Sequence, residues 1–285
     1  MSLTLFTAAG CARCNIAKKF MREKNVAFEE HDAVGEGKER FGQFYRTHRS
    51  SVVRGREGIE FPVLADGDVV RQGVAAVIAY LHSGTGLDGF IGRSELSKGW
   101  VGGTNVSAGG PAAVNELAAV LGFVKKNGLK LQLDTDGRNP AVLEHLLGQG
   151  IGDRAVMDIK GPKRLYGAML GTEVQPEEVG RSMALTARFP EYRFETTVAP
   201  VPRAGGDPAD ISYLTPEEIA ETAQWLKEAT GSHRQPYVLR VFDPQTHSNE
   251  RFRSIEKRPH TSLFRHRTAA RKFQVLTEIE TTSTF

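Results

Sequence analysis

The chain contains only two cysteines in 285 residues. Two thiols cannot staple a fold of this length. A tetrahedral zinc site needs two further ligands, and no second C-x-x-C or tight histidine pair supplies them. His31, His48 and His82 are scattered and read as surface residues. Long apolar runs are also missing: no stretch reaches about 18 apolar residues, so none is expected to span a membrane. The N-terminal Met-Ser-Leu-Thr-Leu-Phe-Thr lacks the basic start and apolar core of a signal peptide. Neither sign of charge dominates. The 37 Lys and Arg against 34 Asp and Glu leave +3, too little to imply a polyanionic partner, and nucleic acid is not expected. There is no internal repeat, P-loop or nucleophile elbow. Together these absences point to a cytoplasmic protein whose cysteine pair is catalytic rather than structural.

The pair itself is compact. Thr7-Ala8-Ala9-Gly10-Cys11-Ala12-Arg13-Cys14 places a C-x-x-C between a short apolar run, Leu3 to Phe6, and a helical-looking segment, Asn15 to Lys24. A cysteine at a helix N-terminus faces unpaired N–H groups and the positive end of the helix dipole, which favour thiolate over thiol. Such placement lowers a thiol from about 8.5 to roughly 3.5–7.5. Cys11 is therefore the candidate nucleophile, and Cys14, one turn further in, is placed to resolve a mixed disulfide. Half of a zinc site and a chance spacing are the competing readings. Arg13 between them either stabilises the thiolate, docks an acidic partner, or is a solvated helix residue.

The length suggests two domains. In the first, strands are expected over Leu3–Thr7 and Val26–His31, and Glu36 to His48 has helical spacing, with Phe41, Phe44 and Tyr45 as core. Ser50 to Gly58 reads as a loop. Phe61–Leu64 and Val69–Val70 are short strands joined by an Asp66-Gly67-Asp68 turn, and Val74 to Leu81 closes the unit as a helix. With the C-x-x-C in its first βα junction, this order over residues 1–84 resembles the glutaredoxin branch of the thioredoxin superfamily. The resemblance implies a thioredoxin-like fold, with Pro62 at the family's cis-proline. The backbone of Phe61 before it would then bind an incoming disulfide or peptide. It also implies dithiol chemistry that requires no cofactor. Two departures argue against glutathione: Ala8-Ala9-Gly10 carries no cation before Cys11, and Gly73-Val74-Ala75-Ala76 carries no carboxylate at the last helix. A protein disulfide or dithiol is the expected client, with Arg13, Phe61 and Pro62 as its binding residues.

Residues 85–103 are rich in glycine and read as a linker. Beyond them strands and helices alternate. Strands are expected at Asn105–Ser107, Leu129–Thr135, Ala155–Lys160, Arg193–Ala199 and Tyr237–Phe242. Helices are expected at Ala112–Asn127, Pro140–Leu147, Glu177–Arg188 and from Thr215, whose Thr-Pro-Glu-Glu is a helix start. Such repetition predicts a parallel sheet, open or curled into a barrel, with ligands at the carboxyl ends of the strands. Gly109, Gly110, Asp134, Thr135, Asp158 and Lys160 fall there. Asp and Gly also end strands for conformational reasons alone.

Three strings go further: Asp134-Thr135-Asp136-Gly137, Met157-Asp158-Ile159-Lys160-Gly161-Pro162 and Glu195-Thr196-Thr197-Val198-Ala199-Pro200. They resemble successive strand ends of the radical S-adenosylmethionine enzymes that activate glycyl-radical enzymes, over residues 104 to 243. The resemblance implies a fold class of α/β, with the thioredoxin-like domain followed by a partial (β/α) barrel of the radical SAM type over 104–275. It would place Asp134, Thr135, Met157 and Asp158 around a monovalent cation and Lys160 against the carboxylate of S-adenosylmethionine. The family's three-cysteine motif is missing, so no iron–sulfur cluster is expected. Its Gly-Gly-Glu motif becomes Gly109-Gly110-Pro111. The C-terminal region is basic through Arg251, Arg253, Lys257, Arg258, Arg265, Arg267, Arg271 and Lys272, and 276–285 is expected to be a disordered tail. The expected function is a thiol–disulfide oxidoreductase whose cluster-free second half positions a protein client, in an anaerobic radical-enzyme system. The alternative is a redox-sensing adaptor or S-adenosylmethionine-binding protein without turnover.

Overall fold

The computed structural model describes residues 3–55, 58–92, 99–203, 211–246 and 250–280. Its backbone divides into two compact units, 1–133 with 149–152 and 134–148 with 153–285.

The first unit opens with β1 (Leu3–Thr7), α1 (Ala12–Glu23), β2 (Phe28–Asp32) and α2 (Lys38–Thr47). Two short strands, β3 (Arg54–Gly55) and β4 (Gly58–Ile59), pair within the stretch expected as a loop. Then follow β5 (Val63–Asp66), β6 (Val69–Gln72) and α3 (Val74–Ser83). The four longer strands order as β2-β1-β5-β6, with β1 parallel to β2 and antiparallel to β5, and β5 antiparallel to β6. That is the thioredoxin-like arrangement expected of residues 1–84. Alternation along β1 builds its two layers. Leu5 packs on one face with Ala17, Met21, Leu64 and Val77, under α1 and α3. Phe6 packs on the other with Ala33, Phe41, Val52 and Val63, under α2.

The glycine-rich stretch after α3 is partly ordered by packing. Leu87 and Phe90 are buried, and Gly92 N–H donates to the Gly103 carbonyl at 2.7 Å. The next strand, β7 (Trp100–Asn105), begins inside the expected linker and ends where a strand was expected to start. Residues 93–98 lie outside the described residues. A 3-10 turn at Pro111–Ala113 leads into α4 (Val114–Lys126), which packs along α3 and sets Phe123 edge-on to Phe20 at 5.1 Å. The first unit therefore holds all of residues 1–84 and takes in α4. The strand β8 (Lys130–Thr135) follows.

The second unit contains α5 (Pro140–Gly148), β9 (Arg154–Asp158), α6 (Tyr166–Leu170), α7 (Pro176–Thr186) and β10 (Glu191–Val198). A hairpin of β11 (Pro200–Pro202) and β12 (Ile211–Tyr213) precedes α8 (Pro216–Thr230), β13 (Tyr237–Val241), α9 (Glu250–Arg253), α10 (Phe264–Ala270) and β14 (Glu278–Ile279). Six strands form a parallel sheet in the order β14-β13-β10-β9-β8-β7, and the β11–β12 hairpin stands outside it. Every strand of that sheet lies beside its sequence neighbour except for the intervening hairpin, as short right-handed crossovers favour. Met157, Phe194, Tyr237 and Leu239 face a core completed by Val179, Met183, Ile219 and Leu226 from α7 and α8. The alternate positions carry Asp158, Arg193, Glu195 and Arg240.

The sixth strand, β14, was not expected, since it lies in the segment read as a disordered tail. Two residues suffice there because β13 offers an unpaired edge: Val238 and Leu239 stand opposite Glu278 and Ile279, and Glu280 N–H donates to the Leu239 carbonyl at 3.0 Å. Residues 281–285 lie outside the described residues. Among the described residues no helix is long and apolar enough to cross a membrane.

Candidate active site

Cys11 is the N-cap of α1, with extended backbone (φ −73°, ψ 102°) that turns the chain into the helix. Its sulfur accepts the Cys14 N–H at 3.1 Å, one of the orphan donors every helix start leaves. The first helical turn carries no carboxylate to compete for that positive end. Gly10 delivers Cys11 to this position through φ +71°, and Cys11 N–H donates back to the Ala8 carbonyl at 3.2 Å. Cys11 is partly exposed, whereas Cys14 is 1 % exposed. The two sulfurs are joined as a disulfide, with Cα atoms 5.3 Å apart.

The Phe61–Pro62 peptide bond is cis, the isomer the family resemblance implies. The Phe61 carbonyl oxygen lies 3.9 Å from Cys11 Sγ, so the loop before β5 is brought to the mouth of α1, fifty residues away in sequence. Cys11, Cys14, Phe61 and Pro62 thus form one site within the first unit.

Arg13 is not a free docking cation. Its Nη1 donates to Glu60 Oε1 at 2.6 Å and its Nη2 to the Trp100 carbonyl at 2.6 Å. Both side chains are largely buried, 17 % and 19 % exposed. Burial pushes the Glu60 carboxyl above its ordinary value, and the Arg13 charge and hydrogen bond pull against that without cancelling it. Glu60 is the site residue the sequence reading missed. Its signal was a single acid set between Ile59 and Phe61, immediately before the Phe-Pro pair.

The candidates of the second half separate. Gly109 and Gly110 belong to the first unit, and Asp134, Thr135, Met157, Asp158 and Lys160 to the second. A Cβ on Gly109 would lie 2.3 Å from the Phe90 ring, so its missing side chain makes room for a core aromatic rather than for a ligand. Met157 is fully buried in the helix-covered core, on the face opposite Asp158. Thr135 Oγ1 accepts the Gly137 N–H at 3.0 Å, which is turn chemistry. Lys160 Nζ bonds Asp158 Oδ2 at 2.5 Å, while Asp158 Oδ1 is buried and has no hydrogen-bond partner among the described residues. Glu195, in register with Asp158, is 3 % exposed and pairs with Arg193 and with Arg240 at 3.0 Å. Among the described residues no group of three or more His, Cys, Asp or Glu side chains could hold a metal ion.

Several of the basic C-terminal residues are engaged. Lys257 pairs with Asp243 at 2.6 Å, the Arg258 guanidinium stacks 3.6 Å from the Tyr213 ring centre, and Arg271 donates to the Thr277 carbonyl at 3.0 Å.

No protein-family model matches the chain, and no curated protein matches it. Among solved structures it is similar in part to the glutaredoxin-like protein NrdH-redoxin from Escherichia coli, which has a thioredoxin-like activity profile. The two are 24 % identical with a TM-score of 0.22, over 29 % of this chain and 96 % of that one. The thioredoxin-like reading of this chain rests on its own strand order and on the placement of its cysteines.

Proposed function

We propose that the protein is a thiol–disulfide oxidoreductase acting through Cys11 and Cys14. The observation that carries this reading is the sulfur of the partly exposed Cys11 held against the Cys14 N–H at the first turn of α1, with Cys14 buried. The Cys11 thiolate attacks one sulfur of a client disulfide, forming a mixed disulfide and expelling the other client sulfur as a thiolate that takes up a proton. Cys14 then loses its proton and attacks Cys11 Sγ. The client's second thiol departs and the Cys11–Cys14 disulfide forms. Two electrons and two protons pass to the client, and an external dithiol must return them. The Phe61 carbonyl beside Cys11 marks where the client's backbone would lie.

Replacing Cys11 with Ser is expected to abolish reduction of insulin disulfides, and Cys14→Ser to leave the client covalently attached to Cys11. Activity retained by the Cys11 variant overturns the assignment.

For the second half we infer a partial barrel of the radical S-adenosylmethionine type that positions the client. Its support is the three strings at the carboxyl ends of β8, β9 and β10. A client trapped on Cys11 that belongs to no radical-enzyme system would remove this part alone. The residues fit S-adenosylmethionine poorly, because Lys160 is already paired with Asp158 and Gly109 is filled by Phe90. No step is assigned to that cofactor.

A further inference from the structure

Exposed apolar side chains gather on one short stretch of the second unit. Among the described residues four large hydrophobic side chains are exposed, and three of them lie in or just after α10: Phe264 at 51 %, Val275 at 42 % and Leu276 at 43 %. The same stretch carries Arg265, Arg267, Arg271 and Lys272. None of these four cations pairs with a carboxylate among the described residues. Arg271 donates to the Thr277 carbonyl at 3.0 Å, and the Arg267 guanidinium lies 5.3 Å from the Phe264 ring centre. Cations elsewhere in the unit are paired: Arg181 with Glu144, Arg164 with Glu218 and Glu221, Lys163 with Glu228.

This stretch is anchored rather than loose. On its inner side His266 Nε2 lies 2.9 Å from the Leu214 carbonyl, and Ala270 is fully buried. The Gln274 side chain accepts the Gln235 N–H and donates to the Ser232 carbonyl, both at 2.9 Å. Its outer side forms one wall of a shallow groove through Phe264, Arg265, Thr268 and Lys272, with Pro216 and Glu217 at the start of α8 on the other. Positions 264, 268 and 272 recur at the four-residue spacing that keeps side chains on one helix face.

We propose that this face binds an acidic, apolar-flanked segment of a partner protein, with carboxylates opposite Arg265 and Lys272 and apolar side chains against Phe264 and Val275–Leu276. Exposed apolar residues ringed by charge mark protein interfaces: burial supplies the affinity, and the complementary charges steer and orient the partner. Glu217 decides against a polyanion. A nucleic-acid backbone or an anionic lipid surface would bring phosphates against that carboxylate, whereas a polypeptide can set a neutral or basic side chain there. The surface uses no thiol, so the proposal stands apart from the oxidoreductase reading.

The test uses the full-length protein and a fluorescent, synthetic helical peptide with Leu and Phe along one face and Glu beside them. Binding is read by anisotropy, and hydrogen exchange locates it on the chain. The comparison probes are the same peptide with Lys in place of Glu, single-stranded DNA, and vesicles containing phosphatidylserine. The acidic peptide should bind, protect residues 264–276 from exchange, and bind more weakly as salt rises. Its affinity should fall about tenfold or more in Arg265→Glu/Lys272→Glu, and about fivefold in Phe264→Ser. Phe264→Ser should keep the salt dependence, since it removes apolar area and no charge. Arg188→Glu, an exposed cation just past α7, should bind as the wild type does. All the substituted side chains in the patch are exposed, and an unchanged urea midpoint confirms that each variant folds. No binding of the acidic peptide, equal binding of its Lys counterpart, tighter binding of DNA or vesicles, or an equal loss in Arg188→Glu each overturns the proposal.

Discussion

At Cys11 one residue does three jobs that usually fall to different ones. It caps a helix, is itself partly exposed, and has its sulfur stabilised by the N–H group it caps. Gly10 makes this geometry accessible. Its φ of +71° is in the left-handed region, and no heavy atom would meet an added Cβ, so the cost of a side chain there is purely conformational. Gly10→Ala is expected to destabilise the first unit by about 1 kcal/mol, read as a lower urea midpoint. A loss several times larger would mean that the site is crowded after all. That Cys11 is an N-cap was legible from its place between an apolar run and a helical segment. That Arg13 has a buried counter-ion was not, because Glu60 is 47 residues away and only the closed fold makes them neighbours.

At the scale of elements, α8 shows the same logic with carboxylate in place of sulfur. Its Thr215-Pro216-Glu217-Glu218 start forms a reciprocal capping box, Thr215 Oγ1 accepting the Glu218 N–H and Glu218 accepting the Thr215 N–H. Glu218 also gathers Arg203 and Arg164, at 2.5 and 2.9 Å. Burial alone would raise its carboxyl, but Arg203, the Thr215 N–H and Arg164 together hold it below its ordinary 4.5. A carboxyl depressed in the folded state contributes stability above its unfolded pKa and loses it as pH falls through the folded value. The unfolding midpoint of the second unit should therefore drop below about pH 4.5, and Glu218→Gln should flatten that slope. An equally steep acid limb in the variant would place the effect elsewhere. The cap was readable from four consecutive residues; the two arginines were not, since they come from the 3-10 turn before α6 and from just after β11.

Over the whole molecule, residues 1–84 have a complete thioredoxin-like sheet but not a complete surface. Phe20 of α1 is 4 % exposed because Phe123 of α4 lies across it, Lys19 bonds Asn127 at 2.8 Å, and Arg13 needs the Trp100 carbonyl. An isolated 1–84 fragment is expected to unfold at lower urea than the same residues in the full chain, followed by amide exchange in α1 and α3. Equal protection in the two would show that α4 contributes nothing to them.

What the sequence determined alone is local. The alternation of β1, the C-x-x-C at a strand–helix junction, the Phe61-Pro62 pair and the helix starts each depend on residues within a few positions of one another, where backbone sterics and side-chain period act directly. Only the tertiary structure decided which distant groups became partners: Glu60 for Arg13, Phe90 for Gly109, Phe123 for Phe20, and β14 for the edge of β13. Those pairings depend on how the chain closes in three dimensions, and a contact between residues tens of positions apart leaves no periodic trace in the sequence to be read.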